Sequence, residues 1–113
     1  MKTAKENILT QIKKIVTDKE PSAKIYLYGS RSKGTARPDS DWDIVVLLNK
    51  DTITLDIERN ITYPLYDLEF DSGEVISPLI YSEKEWNGKY KLTPFYKNVM
   101  SEGRLLWQAA NLI

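Results

Sequence analysis

YGSRSKGTARPDSDWDIVVLL, from Tyr28 to Leu48, passes from a stretch broken by Gly, Ser and Pro into the chain's most continuous apolar run, with Asp41 and Asp43 at the junction. WDIVVLL has the pattern of a strand covered on both faces, and so central in its sheet. Residues two apart on a strand project to one face, about 7 Å apart, so Asp41 and Asp43 point together while Trp42 points away. Two carboxylates at the head of a buried strand repel each other. A hard divalent cation with oxygen ligands is the partner that best lets both stay ionised.

Ahead of the acids, Gly29-Ser30 ends the preceding strand and opens a helical turn, where unpaired amides and the helix dipole favour an anion such as phosphate. Gly29 permits close backbone approach and Ser30 adds a hydroxyl. Arg31, Lys33 and Arg37 then bring three positive charges, with no carboxylate until Asp39. Each piece alone is ordinary: a Gly-Ser turn, a solvated Asp pair, a basic loop. Gly-Ser, ten residues, then Asp-x-Asp arises together by chance in about one in a thousand chains of this length. A phosphate cradle on one strand end and a carboxylate pair on its neighbour suit a metal–nucleotide.

Composition narrows the chemistry around that stretch. At 113 residues and 42% apolar content the chain makes one domain, residues 1–113, with a real core. Sixteen basic and sixteen acidic residues cancel, so there is no strong nucleic-acid signal and any phosphate binding is local. The chain holds neither Cys nor His, which excludes disulfides, Cys- or His-ligated metals and Ser-His or Cys-His nucleophiles. Carboxylates, hydroxyls, amines and backbone amides remain. The N-terminus has no apolar signal core and no apolar run reaches eighteen residues, so a soluble cytoplasmic protein without membrane contact is expected.

The remaining segments alternate between helical and extended patterns. Ile8, Ile12, Ile15 and Val16 share one stripe and predict a helix over 3–18. KIYLY alternates as a strand. Ile57, Ile61, Leu65 and Leu68 mark a second long helix, in which Pro64 predicts a kink or an early stop. After Asp71-Ser72-Gly73, EVISPLIY reads as a strand that Pro78 assigns to an edge or a bulge. Thr93-Pro94 reads as the start of a last helix ending before Gly103, and RLLW as a return to the sheet. The expected fold is α/β, a small mixed sheet flanked by helices.

Gly29-Ser30, ten residues, then Asp41-Trp42-Asp43 resembles the GSx10DxD signature of the minimal nucleotidyltransferases, within the DNA polymerase beta-like superfamily, and the match covers nearly the whole chain. The resemblance implies the polymerase beta-like core and transfer of a nucleoside monophosphate, AMP from ATP, to a hydroxyl. It assigns Asp41 and Asp43 as catalytic ligands of Mg²⁺ or Mn²⁺. Gly29, Ser30, Arg31 and Lys33 then hold the nucleoside triphosphate.

One departure stands out: the superfamily's third carboxylate, on a later strand, falls here at Ser77. Glu74 would need a bulge to reach the same face, and Asp67, Glu69 and Asp71 read as helix-end or turn residues. The alternative is thus a degenerate module that binds nucleotide or partner without catalysis. No residues remain for an acceptor-binding domain. Stand-alone members of the family are often antitoxins paired with a HEPN-type toxin, which makes a protein partner the expected acceptor; a homo-oligomer closing its own acceptor site is the other option. Trp86, Tyr90 and Tyr96, in the least periodic region, are the expected partner surface.

Overall fold

The computed structural model describes residues 4–109. Its elements run α1 (Ala4–Lys19), β1 (Lys24–Tyr28), α2 (Ser30–Lys33), β2 (Trp42–Leu48), α3 (Leu55–Ser72), β3 (Ile76–Ser82), α4 (Glu83–Trp86), α5 (Pro94–Glu102) and β4 (Arg104–Trp107). The four strands form one mixed sheet in the order β3-β2-β1-β4. β1 is antiparallel to β2 and to β4, whereas β2 and β3, joined through α3, run parallel. β2 is central, as its apolar run requires, and β3 with Pro78 is an edge strand. The RLLW segment does return to the sheet, beside β1. None of the described helices is long and apolar enough to cross a membrane.

Strand alternation divides the core in two. Trp42, Ile44, Val46 and Leu48 of β2 join Ile25 and Leu27 of β1 against Ile8, Ile12 and Val16 of α1 and Ile61, Leu65 and Leu68 of α3. Val45 and Leu47 face the other way, onto Trp86 of α4 and Val99 of α5. Asp43, next in that alternation, faces the α4/α5 side at the sheet's open end.

An early stop at Pro64 and an aromatic partner surface around Trp86 are both corrected by this packing. α3 continues through Pro64 to Ser72, capped at its start by the Thr54 hydroxyl and at its end by Gly73 in the left-handed region. Burial of Ile61 and Leu65 on either side of Pro64 outweighs the one backbone bond the proline cannot donate. Trp86 is fully buried, and its ring stacks with those of Tyr81, Phe95 and Tyr96. Tyr90 and Tyr96 pack on that same cluster, so these aromatics are the second core rather than a partner surface. Irregular sequence hid the cluster, because its residues come from short elements with no long period.

Ser82 fastens the end of β3. Its hydroxyl donates to the Lys50 carbonyl at 2.6 Å and accepts from the Glu85 amide at 3.2 Å, with the residue 1% exposed. Ser82→Ala removes a helix cap and leaves the part-buried Lys50 carbonyl without this donor, and urea unfolding is expected to register a loss of about 1–3 kcal/mol.

Candidate active site

The turn between β1 and β2 builds the site from the backbone outward. Gly29 adopts φ 74°, a conformation that side chains disfavour, and thereby ends β1 and starts α2 in consecutive residues. The Ser32 and Lys33 amides donate back to the Gly29 carbonyl at 3.1 and 3.2 Å. As the first helical residues, Ser30 and Arg31 have amides with no partner inside the helix. A Cβ at position 29 would lie 2.6 Å from Oδ2 of Asp43, so a side chain there would push the carboxylate aside as well as strain the backbone. The Asp43 carboxylate therefore occupies the space that a side chain at position 29 would fill, joining the two halves of the motif at one end of the sheet.

Asp41 lies just before β2 and Asp43 within it, paired in register with Tyr28 on one side and Ser77 on the other. The Ser77 hydroxyl donates to Oδ2 of Asp41 across 3.4 Å. Ser77 thus touches both acids' surroundings, at the place where the third carboxylate was expected. No group of three Asp or Glu that could hold a metal occurs among the described residues. Burial, reinforced by the neighbouring charge of Asp41, raises the Asp43 carboxyl above the ordinary 3.8. Burial first, then Asp43 and Tyr81, pushes the Tyr28 hydroxyl up to about 12, so it stays a neutral donor at any physiological pH. What the site lacks is positive charge beside its two acids, and its hard oxygen donors suit Mg²⁺ or Mn²⁺.

The basic residues of the loop prove unequal. Arg31, expected at the phosphates, is turned inward and buried. Its guanidinium stacks 3.9 Å above the Trp42 ring, and Nη2 donates to the carbonyls of Ser40 at 2.8 Å and Pro38 at 3.3 Å. Glu74 completes the brace, accepting from Trp42 Nε1 at 3.2 Å with an oxygen 3.8 Å from Arg31. Glu74 therefore serves this brace and does not replace the third acid. Glu69 is likewise occupied, accepting the Ile76 amide at 2.8 Å at the end of α3. Ser40 immediately precedes Asp41, so Arg31 fixes the loop carrying the acids from the opposite side of the strand.

Lys33 stays on the open side. It lines a cavity of about 170 Å³ with Tyr28, Gly29, Phe95, Asn98 and Glu102. Its ammonium pairs with Glu102 at 2.8 Å, an exposed contact worth little and readily exchanged for a phosphate. Arg37 is exposed, and its amide bonds the Ser40 hydroxyl at 2.8 Å. The fixing role of Arg31 left one trace in sequence: a cation two residues after Gly29 with an indole waiting at the strand start.

Comparisons with known proteins bear on the family and the fold. A family model described as a nucleotidyltransferase domain matches residues 9–105. Similar solved structures include a toxin–antitoxin crystallised with AMP-PNP, at 25% identity and TM-score 0.65, covering 89% of this chain and 73% of that one. A mutant of the toxin–antitoxin pair MntA–HpeT shares 26% identity at TM-score 0.58, covering 88% and 72%. A tri-AMPylated Shewanella oneidensis HEPN toxin in complex with MNT antitoxin shares the fold at 22% identity and TM-score 0.60, covering 92% and 72%. The search of curated proteins gives no match.

The brace and the acids make separate demands on stability. Arg31→Gln is expected to cost about 2–4 kcal/mol in chemical unfolding, since buried charged hydrogen bonds are lost, whereas Lys33→Gln stays within about 0.5 kcal/mol. A raised carboxyl binds its proton more tightly in the folded state, so Asp43 supports the fold most below pH 3.8 and loses that support as pH rises through its own higher value. In metal-free buffer Asp43→Asn is therefore expected to melt higher than the wild type at pH 7, with the gap closing at pH 3. A gap that is constant with pH would show that the carboxyl is not titrating under strain.

Proposed function

Because the chain belongs to the nucleotidyltransferase domain family, we propose that it transfers a nucleoside monophosphate, AMP from ATP, to a hydroxyl on a protein partner. The observation that supports this reading is the Asp43 carboxylate in the space beside Gly29, which brings one of the two acids up to the Gly29-Ser30 turn. Asp41 and Asp43 would hold Mg²⁺, with Ser77 as a weak third oxygen; the ion would neutralise charge developing on the phosphates. The backbone turn at Gly29-Ser30, the Ser30 hydroxyl and Lys33 grip the triphosphate. Arg31, bound underneath, keeps the acids in place and does not touch nucleotide. The acceptor oxygen bonds the α-phosphorus as the bond to pyrophosphate breaks, and the acceptor proton passes to solvent because a serine at position 77 is no base.

Similarity to toxin–antitoxin structures, one of them with AMP-PNP, supports a toxin as the partner, and the GSx10DxD resemblance makes that toxin one of the HEPN type. A second reading keeps its own observation. Ser77 in place of an acid favours a module that binds nucleotide or partner and transfers nothing.

Titration calorimetry with ATP and Mg²⁺, followed by label transfer from α-labelled ATP to the partner, separates the two readings. Wild type is expected to bind ATP only with the metal present, and Asp43→Asn to lose at least a hundredfold in affinity or transfer. Gly29→Val should abolish binding, whereas Ser30→Ala weakens it by about tenfold or less, because the backbone amides survive. Ser77→Asp, opposite Asp43 in register, should lower the Mg²⁺ concentration needed for half-maximal binding. ATP binding without transfer supports the module; no ATP binding in the wild type overturns transfer and leaves only a module that binds a partner.

A further inference from the structure

α3 is apolar on two sides. Its inner face, Ile61, Leu65 and Leu68, is buried against the sheet and α1. At 100° per residue, Leu55, Arg59, Tyr63, Tyr66 and Phe70 fall within one arc of about 80° on the opposite face. The apolar members are open to solvent: Leu55 and Tyr63 are 55% exposed, Tyr66 45% and Phe70 89%. An ordinary surface helix carries charge there. The stripe runs from position 55 to position 70, about 22 Å or four turns. Asp56, Asp67 and Asp71 line one side of it, all exposed and without an ion pair among the described residues.

We propose that this face of α3 docks a helix of a different protein, one with an apolar stripe flanked by lysines or arginines. A straight ridge of side chains on a closed helical backbone offers no strand edge to pair with, and it interdigitates best with the ridges of another helix. The aromatic row supplies the anchors and the acidic row sets the orientation. The same acids argue against other occupants. Helices that lie on membranes carry Lys and Arg on their polar faces, and an acidic row is repelled by anionic headgroups and by nucleic acid alike. A second copy brings five acids and one arginine on its own α3, which leaves most carboxylates without a counter-charge. The stripe lies on the outer side of the α1/α3 layer, whereas Asp43 faces the α4/α5 side. Docking there is thus independent of nucleotide binding and stands whether or not the chain transfers AMP.

The test uses the full chain and a labelled, helix-stabilised 18-residue peptide with a leucine row flanked by lysines, alongside the same peptide with glutamates. The lysine peptide is expected to bind saturably and the glutamate peptide at least tenfold more weakly. Tyr63→Ser with Phe70→Ser should weaken the lysine peptide at least tenfold while circular dichroism and Mg²⁺-dependent ATP binding stay unchanged, both residues being exposed. Asp67→Lys with Asp71→Lys should invert the preference between the two peptides. Failure of the lysine peptide to bind, indifference to the aromatic substitutions, or an uninverted preference would overturn the proposal. So would a concentration-dependent dimer in light scattering that Phe70→Ser dissolves, which assigns the face to a second copy, or binding of the chain to phosphatidylglycerol vesicles through it.

Discussion

One strand has to satisfy two environments, and the rest of the site follows from how it does so. Trp42, Ile44, Val46 and Leu48 enter the larger core, Val45 and Leu47 the smaller one, and Asp43 shares the latter's face at the strand's open end. A slip of one residue would expel Trp42 and carry Asp43 into the main core. Burying four side chains at about 1.5–3 kcal/mol each outweighs the electrostatic strain of one half-exposed carboxylate. Hydrophobic burial thus fixes the register, and the register fixes the acids. Burial at that position, with the charge of Asp41 adding to it, is why Asp43 holds its proton more tightly than a free carboxyl.

The loop between Gly29 and Asp41 would be free to let those acids drift, and Arg31 prevents it. An arginine's planar fork can stack on an indole and bond two carbonyls at once, which a lysine's point charge cannot. Here the guanidinium covers Trp42 and bonds the Pro38 and Ser40 carbonyls, while Glu74 ties the indole nitrogen from the start of β3. Three segments distant in sequence therefore meet under the site. The two cations of α2 consequently differ in place, with Arg31 turned inward onto Trp42 and Lys33 on the open side, paired with Glu102.

Patterns of period 2 and 3.6 made the helices and the central strand legible, because those patterns report burial directly. β2, α1 and the inner face of α3 came from such runs, and the caps Thr93 and Gly103 from turn chemistry. The acid pair and the Gly-Ser turn were legible as types at a spacing, and the structure brings Asp43 and Gly29 into contact. Three features were not readable. Arg31 looked like a phosphate ligand, since sequence records a charge but not which way its side chain turns. Trp86 looked exposed because its neighbours Tyr81, Tyr90, Phe95 and Tyr96 come from separate short elements. The early stop that Pro64 allows does not occur, since the local penalty is visible in sequence and the burial that overrides it is not.

Local rules fail at two places in this molecule, and both failures are informative. A chain whose levels agree puts charge outside and apolar groups inside, and departures gather where something other than folding is served. Asp43 is a carboxylate kept half-buried beside another acid; the outer face of α3 is an aromatic stripe kept in water. Neither helps the isolated domain fold. They lie on opposite layers of one sheet, separated by the main core, so a partner seated on α3 would leave the Gly29 turn and its acids open. On the reading proposed here, a cation would neutralise the acids of the first surface and apolar side chains of a partner would cover the rings of the second.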